Sequence, residues 1–213
     1  IYTADHLITL NTNVGQIQTH YLINAAGLYS DEIDANLGIT DFKITPRRGE
    51  LIVFDKLSRR LINHVILPVP SSMGKGVLVA PTVFGNIMLG PTAENLDDKT
   101  ATGSTNAGLA SLLQKGRKIA PKLLAEEITA TYAGLRAASE HSDFQIRLHN
   151  LDGKQRYVTV GGIRSTGLSA SMAIAIYVKE LLIKAGMELN GERALPEIKM
   201  NNLGEAGLRS YQD

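Results

Sequence analysis

Two cations in this chain stand where the backbone can aim them at a negative charge. Arg136 follows Gly134 in TYAGLRAAS, at the end of a run of strand formers, so its long guanidinium can reach into a cleft. Lys75 lies between two glycines in SSMGKGVLVAPT, where the freedom of the backbone lets its ammonium approach an anion closely. A surface arginine and a flexible exposed lysine are the plain alternatives. The third feature is the start of a helix in GGIRSTGLSAS. Its N-terminus carries roughly half a positive charge and can seat an anion or a developing negative charge.

The elements that must position these groups follow from the pattern around them. Tyr157, Val158, Thr159 and Val160 are β-branched or aromatic and read as a buried strand, ended by Gly161-Gly162, with Gly167 a second flexible point. From Ser169 the apolar residues take helical spacing: Met172, Ile176 and Leu181 beside Ile174, Val178 and Leu182, with Gly186 just past the end. This helix is expected to be buried on much of its surface. Ser165, Thr166 and Ser169 can cap its free N–H groups, and Gly167, Ala170, Ser171 and Ala173 allow a close approach to its first turn. Ordinary α/β packing would look similar.

A second strand-turn-helix segment lies near the start. Residues 7–11 and 17–23 read as a hairpin around Val14-Gly15, the second strand running into Asn24-Ala25-Ala26-Gly27, with a helix from Ser30 to Leu37. This is the geometry in which backbone lies close to a dinucleotide, or a tight turn that merely needs small residues.

Between these segments the pattern changes. Ile44–Asp55 alternates over its second half as a strand, with Pro46 where the chain leaves a loop, and 61–70 suits a sheet edge because of its prolines. Arg47 and Arg48 are read as structural, paired with Glu50 or a loop carboxylate. Residues 77–80 and 86–89 form a hairpin around Phe84-Gly85, and the polar run up to Thr105 is a loop. Thr105 or Asn106 caps a helix carrying Leu109, Leu112, Leu113 and Ile119, which Pro121 ends. A short helix over 121–127 and a strand over 128–135 complete an antiparallel sheet with helices on one face, and a separate hairpin turning at Asp152-Gly153 leads into the Tyr157 strand. The tail from Met187 has no strong pattern.

Composition narrows the function. With a net charge of +1 and no basic run, neither nucleic acid nor an anionic membrane is indicated by bulk electrostatics. The absence of cysteine excludes disulfides, thiolate metal sites and a cysteine nucleophile, and fits a reducing cytoplasm. No run approaches the ~20 apolar residues that cross a bilayer. GxSxG, HExxH and GxxxxGK[ST] are all missing, which disfavours the hydrolases they mark. His6, His20, His64, His141 and His149 fall in none of the segments above and are given no catalytic role.

The ordered set NAAGLYSDE, TPRRGE, GKGVLVAPT, LGPTAE, YAGLR and GGIRSTGL resembles the FAD-dependent oxidoreductases of the D-amino-acid oxidase superfamily, particularly the type 2 glycerol-3-phosphate dehydrogenases and oxidases, over about residues 6–185. Two positions depart from the family pattern, with Ala137 and Thr166 replacing prolines of YAGxRP and GIRSPG. The resemblance implies flavin contacts from Ala26, Gly27, Gly162, Ile163, Arg164, Ser165, Thr166, Gly167 and Leu168. It places substrate against Lys75, Arg136 and Ser165, with Lys75 and Arg136 as a clamp on its phosphate. The implied reaction is hydride removal from a small anionic secondary alcohol, sn-glycerol 3-phosphate first. A 2-hydroxy acid such as 2-hydroxyglutarate, an amino acid, or a non-catalytic binding domain are the alternatives.

The expected fold class is α/β with an α+β substrate part. Residues 1–42 and 145–190 would form part of the FAD-binding domain, 43–144 an antiparallel-sheet substrate domain, and 191–213 a tail. The family's GxGxxG turn is not found in the sequence, so a βαβ unit and the catalytic base are expected in a preceding segment and the chain by itself is expected to be inactive. Quinone or oxygen is the expected electron acceptor, with a cytoplasmic location or a peripheral one at the inner face of the membrane. An iron–sulfur domain beyond the C-terminus is left open.

Overall fold

The structure, a computed structural model, describes residues 1–4, 7–69, 76–123 and 125–191. Lys75, His6 and the tail from 192 onward lie outside the described residues. The strands and helices run in the order β1 (Tyr2–Ala4), β2 (Leu7–Thr12), β3 (Gly15–Thr19), β4 (Leu22–Asn24), α1 (Ser30–Ala35), β5 (Ile44–Phe54), β6 (Leu78–Pro81), β7 (Ile87–Gly90), β8 (Glu94–Asn95), α2 (Asn106–Ile119), β9 (Ile128–Ser139), β10 (Gln145–Leu151), β11 (Lys154–Gly161) and α3 (Gly167–Lys184). The class is α/β, as the pattern of elements requires.

The chain forms two compact units. One comprises residues 1–48, 94–102 and 135–190; the other comprises the described residues of 49–93 and 103–134. Residues 43–48, 94–102 and 135–144, expected with the substrate part, cluster with the first unit. Strands β5 and β9 contribute residues to both.

In the first unit, β11 is the central strand of the sheet β10-β11-β4. It pairs antiparallel with β10 and parallel with β4, with Tyr157 opposite Leu22, Val158 opposite Ile23 and Thr159 opposite Asn24. Buried from Arg156 to Gly161, it has the near-continuous burial of a strand covered on both faces. The hairpin joining β10 to β11 turns through Asp152 and Gly153, both with positive φ, as a type I′ turn demands. Strands β1, β2 and β3 form a separate antiparallel sheet.

Four expectations are corrected here. The strand expected over 17–23 is two strands in different sheets, because the Thr19 hydroxyl donates to the Tyr21 carbonyl and accepts from the Tyr21 N–H, folding the chain back between β3 and β4. Pro46 lies within β5, and its carbonyl accepts from the Leu96 N–H at 2.8 Å. Helix α3 begins at Gly167 with Thr166 as N-cap, and no side chain caps it. Nor is α3 buried on much of its surface: Ile174, Val178 and Leu182 pack against Val158 and Val160, whereas Leu168, Met172 and Ile176 are 90%, 75% and 56% exposed.

The second unit is held by Ile52, Phe54, Val79, Ile87 and Leu89 from the sheet packed under Leu112 of α2. Strand β7 lies between β6 and β5. Residues 61–70, expected as an edge strand, contribute a single bridge, Ile66 to Val79, among the described residues. The α2 cap is Thr105, whose hydroxyl accepts from the Gly108 N–H. Glu50 is fully buried beneath that cap. Its carboxylate accepts from the Thr105 N–H at 2.5 Å, the Thr105 hydroxyl at 2.9 Å and the Thr92 hydroxyl at 3.1 Å. A buried carboxylate is tolerable here because the helix N-terminus supplies donors and a favourable dipole. Of the two kinds of partner expected for Arg47 and Arg48, Glu50 or another carboxylate, Arg48 pairs with Glu94 at 2.6 Å.

Candidate functional site

Two glycine turns meet at one end of the β10-β11-β4 sheet. Because β4 and β11 are parallel, their carboxyl ends lie side by side, the place where open α/β sheets bind ligands. The turn after β4 holds Ala26 and Gly27; the turn after β11 holds Gly162 and Ile163 and leads to Gly167.

Each turn is set by local chemistry. The Asn24 Oδ1 accepts from the Ala26 N–H at 3.1 Å, the Ala26 carbonyl accepts from the Tyr29 N–H at 3.1 Å, and Gly27 takes a φ of 58°. Open space surrounds the missing Gly27 side chain. At Gly162, φ is 64° and a Cβ would meet the Ser139 hydroxyl at 3.2 Å. The neighbouring Gly161 leaves room for the Phe42 ring, which occupies the space its Cβ would need.

Ile23, Ala25, Gly27, Val160, Ile163, Gly167, Ser171 and Ile174 are among the residues lining an open cleft of about 660 Å³. Its walls are almost wholly apolar, with Lys179 the one charged side chain on the lining among the described residues. Backbone-lined turns at paired strand ends, space where side chains would otherwise stand, and an α3 N-terminus with no side-chain cap fit a dinucleotide cofactor of the FAD type.

The remaining expected contacts divide. Ser165, Thr166 and Leu168 are exposed at the start of α3. Arg164 turns to the β9–β10 loop, donating to the carbonyls of His141 at 3.4 Å and Ser142 at 2.5 Å, so it ties the second turn to that loop. Arg136 is half-buried on β9, with Nε donating to the Arg47 carbonyl at 3.4 Å and Nη2 to the Arg48 carbonyl at 3.3 Å. Burial, and then the charge of Arg47, lower its pKa, yet a guanidinium stays charged at any working pH.

Sequence reasoning missed the groups behind the turns. Asp34 of α1, 1% exposed, accepts from Asn24 Nδ2 at 2.7 Å, the Tyr157 hydroxyl at 2.5 Å and the Thr159 hydroxyl at 2.9 Å on Oδ1 and 2.8 Å on Oδ2. Burial, then the Asp34 hydrogen bond, push the Tyr157 hydroxyl up, so it serves as a donor. Lys99 grips Asp31 and Glu32 at 2.8 Å each; burial opposes its charge, but these partners prevail and its pKa is raised. The available signal was the spacing of Ser30 and Asp34, which puts both on one face of α1.

Residues 3–181 match the family described as DAO, FAD dependent oxidoreductase. The chain is 42% identical over 171 residues to a glycerol 3-phosphate dehydrogenase of Caloramator mitchellensis, covering 80% of this chain and 35% of that protein. It is 35% identical over 181 residues to a glycerol 3-phosphate oxidase of Mycoplasma genitalium, covering 84% and 47%. The dithionite-reduced L-alpha-glycerophosphate oxidase of Mycoplasma pneumoniae, solved with FAD bound, superposes with a TM-score of 0.74 at 31% identity, over 88% of this chain and 50% of that one. The chain thus spans between about a third and a half of the length of these three proteins. With the paired glycine turns and the fold agreeing, the chain belongs to the DAO family of FAD-dependent oxidoreductases.

Proposed function

We propose that the native protein carrying this chain oxidises sn-glycerol 3-phosphate to dihydroxyacetone phosphate. The observation that carries this reading is the 42% identity to a glycerol 3-phosphate dehydrogenase across 80% of the chain. FAD, when bound, supplies the hydride acceptor. In this reading the turns at Ala26-Gly27 and Gly162–Leu168 would hold the flavin nucleotide, and the open N–H groups and dipole of α3 would stabilise the negative charge that reduction puts on it.

Arg136 is assigned to the substrate's anionic group, its fork aimed by the Arg47 and Arg48 carbonyls, with Lys75 as the second cation. Two cations suit a dianionic phosphate better than a single carboxylate. Ser165, exposed beside the second turn, is assigned to the same pocket. Residues 1–42 and 145–190 are read as part of the FAD-binding domain and 43–144, which include Arg136 and Lys75, as the substrate part. Among the described residues no helix is long and apolar enough to cross a membrane. A cytoplasmic place suits the cysteine-free chain, and reoxidation by a quinone would bring it to the membrane's inner face.

Anaerobic mixing of the native full-length flavoprotein with sn-glycerol 3-phosphate tests the reading. Rapid loss of the oxidised-flavin absorbance is expected. Reduction by 2-hydroxyglutarate and not by glycerol 3-phosphate would overturn it.

A further inference from the structure

Asp34 touches neither glycine turn, yet it is bonded to the strand that leads into each. Asn24 and Thr159 are register partners on parallel strands, and each is the last or nearly the last strand residue before its turn. Asp34 receives hydrogen bonds from both. Its donors are an amide, a phenol and a hydroxyl, all neutral, so the carboxylate works through directional hydrogen bonds and not through an ion pair.

The orientation of Asn24 is fixed by these partners. One Nδ2 hydrogen goes to Asp34 and the other to the Ser30 carbonyl at 2.7 Å, which leaves Oδ1 for the Ala26 N–H. Removing Asp34 would free the amide to rotate, and the first turn would lose the acceptor that holds Ala26. On the other strand, Thr159 gives its proton to Asp34 and so accepts from His149 Nε2 at 3.0 Å. Thr159 stands two positions before Gly161.

We infer that Asp34 is a positioning residue for FAD: by clamping Asn24 and Thr159 from one buried point it sets the separation of the Ala26-Gly27 and Gly162-Ile163 turns. The inference rests on the reading that both turns hold the cofactor. Asparagine at this position would keep the clamp, since its oxygen can accept from Asn24 and Tyr157 while its NH2 donates to the Thr159 hydroxyl. Alanine would leave those donors unmet.

The test compares native full-length protein with Asp34→Ala and Asp34→Asn by FAD titration after flavin removal, at a temperature where circular dichroism shows each folded. Asp34→Ala should weaken FAD binding about tenfold or more, as loss of oriented hydrogen bonds implies, while KM for glycerol 3-phosphate at saturating FAD stays unchanged. Asp34→Asn should bind FAD within about threefold of the unsubstituted protein, a difference of under 1 kcal/mol. If Asp34→Ala does not fold, Tyr157→Phe and Thr159→Val each remove one donor and should weaken FAD binding in the same direction. Equal FAD affinity across the folded variants would overturn the role of Asp34. Failure of the unsubstituted protein to bind FAD would instead overturn the cofactor reading beneath it.

Discussion

The guanidinium of Arg136 donates to the backbone carbonyl of Arg48 at 3.3 Å, so one end of its fork is anchored on β5 before any substrate arrives. Anchoring lowers the entropy lost on binding and fixes which edge of the guanidinium meets an anion. In the native enzyme Arg136→Ala should raise KM for glycerol 3-phosphate by the equivalent of about 1.5–3 kcal/mol, the value of a charge-assisted hydrogen bond, with the flavin spectrum preserved. Arg136→Lys keeps the charge but loses the fork and should recover part of the loss. Steady-state kinetics on both variants checks this; loss of flavin with KM unchanged would move Arg136 to the cofactor site or the fold.

The second turn should respond to charge. A Cβ at Gly167 would meet Ile163 Cγ2 at 2.5 Å, so any side chain there displaces a residue lining the cleft. Aspartate adds a negative charge at the α3 N-terminus. Gly167→Asp should therefore lower the flavin reduction potential or abolish flavin binding, read by spectroelectrochemistry on the native enzyme. Full flavin occupancy at an unchanged potential would remove this helix end from the site.

In the second unit the pair to test is Glu50 and Gly108. The carboxylate fills the space a Gly108 side chain would take, so Gly108→Ala forces Glu50 off its donors despite alanine's better helix propensity. A loss of about 1–3 kcal/mol is expected from overpacking. Glu50→Ala should cost a similar amount by leaving Thr105 and Thr92 donors unmet, about 1–3 kcal/mol. Urea denaturation measures both.

His149 gives the fold an acid-side dependence. Burial, opposed by Asp34 and Asp41 and aided by Arg147, lowers its pKa from the ordinary 6.5. The unfolded chain then binds the proton more readily than the folded one, so this contribution is present above pH 6.5 and declines as pH falls through the lowered folded value. His149→Gln, which still donates to Thr159, should flatten the stability profile below that pH. An unaltered profile would show that other groups set it.

Much of this arrangement was legible in the sequence where neighbours in the chain decide the structure. Thr105 capping α2, the Asp152-Gly153 turn and the glycines at 27 and 162 are local signals, and each is in the expected place. What was not legible depends on residues far apart. Tyr157 and Asp34 are 123 positions apart, and the reason Gly161 must be glycine is Phe42. The extent of α3 burial failed for the same cause: apolar residues at 172 and 176 state a preference, and only the neighbours present decide whether they are covered.

Without a GxGxxG turn in the sequence, the two turns at β4 and β11 are asked to hold FAD without a diphosphate-binding turn. Titration of FAD into this chain by itself, followed by flavin fluorescence, should show binding weaker than about micromolar, short of about −8 kcal/mol.

The central claim is that this chain serves a flavoenzyme acting on glycerol 3-phosphate. Its most direct test is a stopped-flow comparison of flavin reduction in the native full-length protein by sn-glycerol 3-phosphate, glycerol and L-2-hydroxyglutarate. The account predicts fast, saturable reduction by glycerol 3-phosphate and far slower reduction by unphosphorylated glycerol, with the difference diminished in Lys75→Ala and Arg136→Ala. Equal reduction by glycerol and glycerol 3-phosphate, or preference for the hydroxy acid, would contradict it.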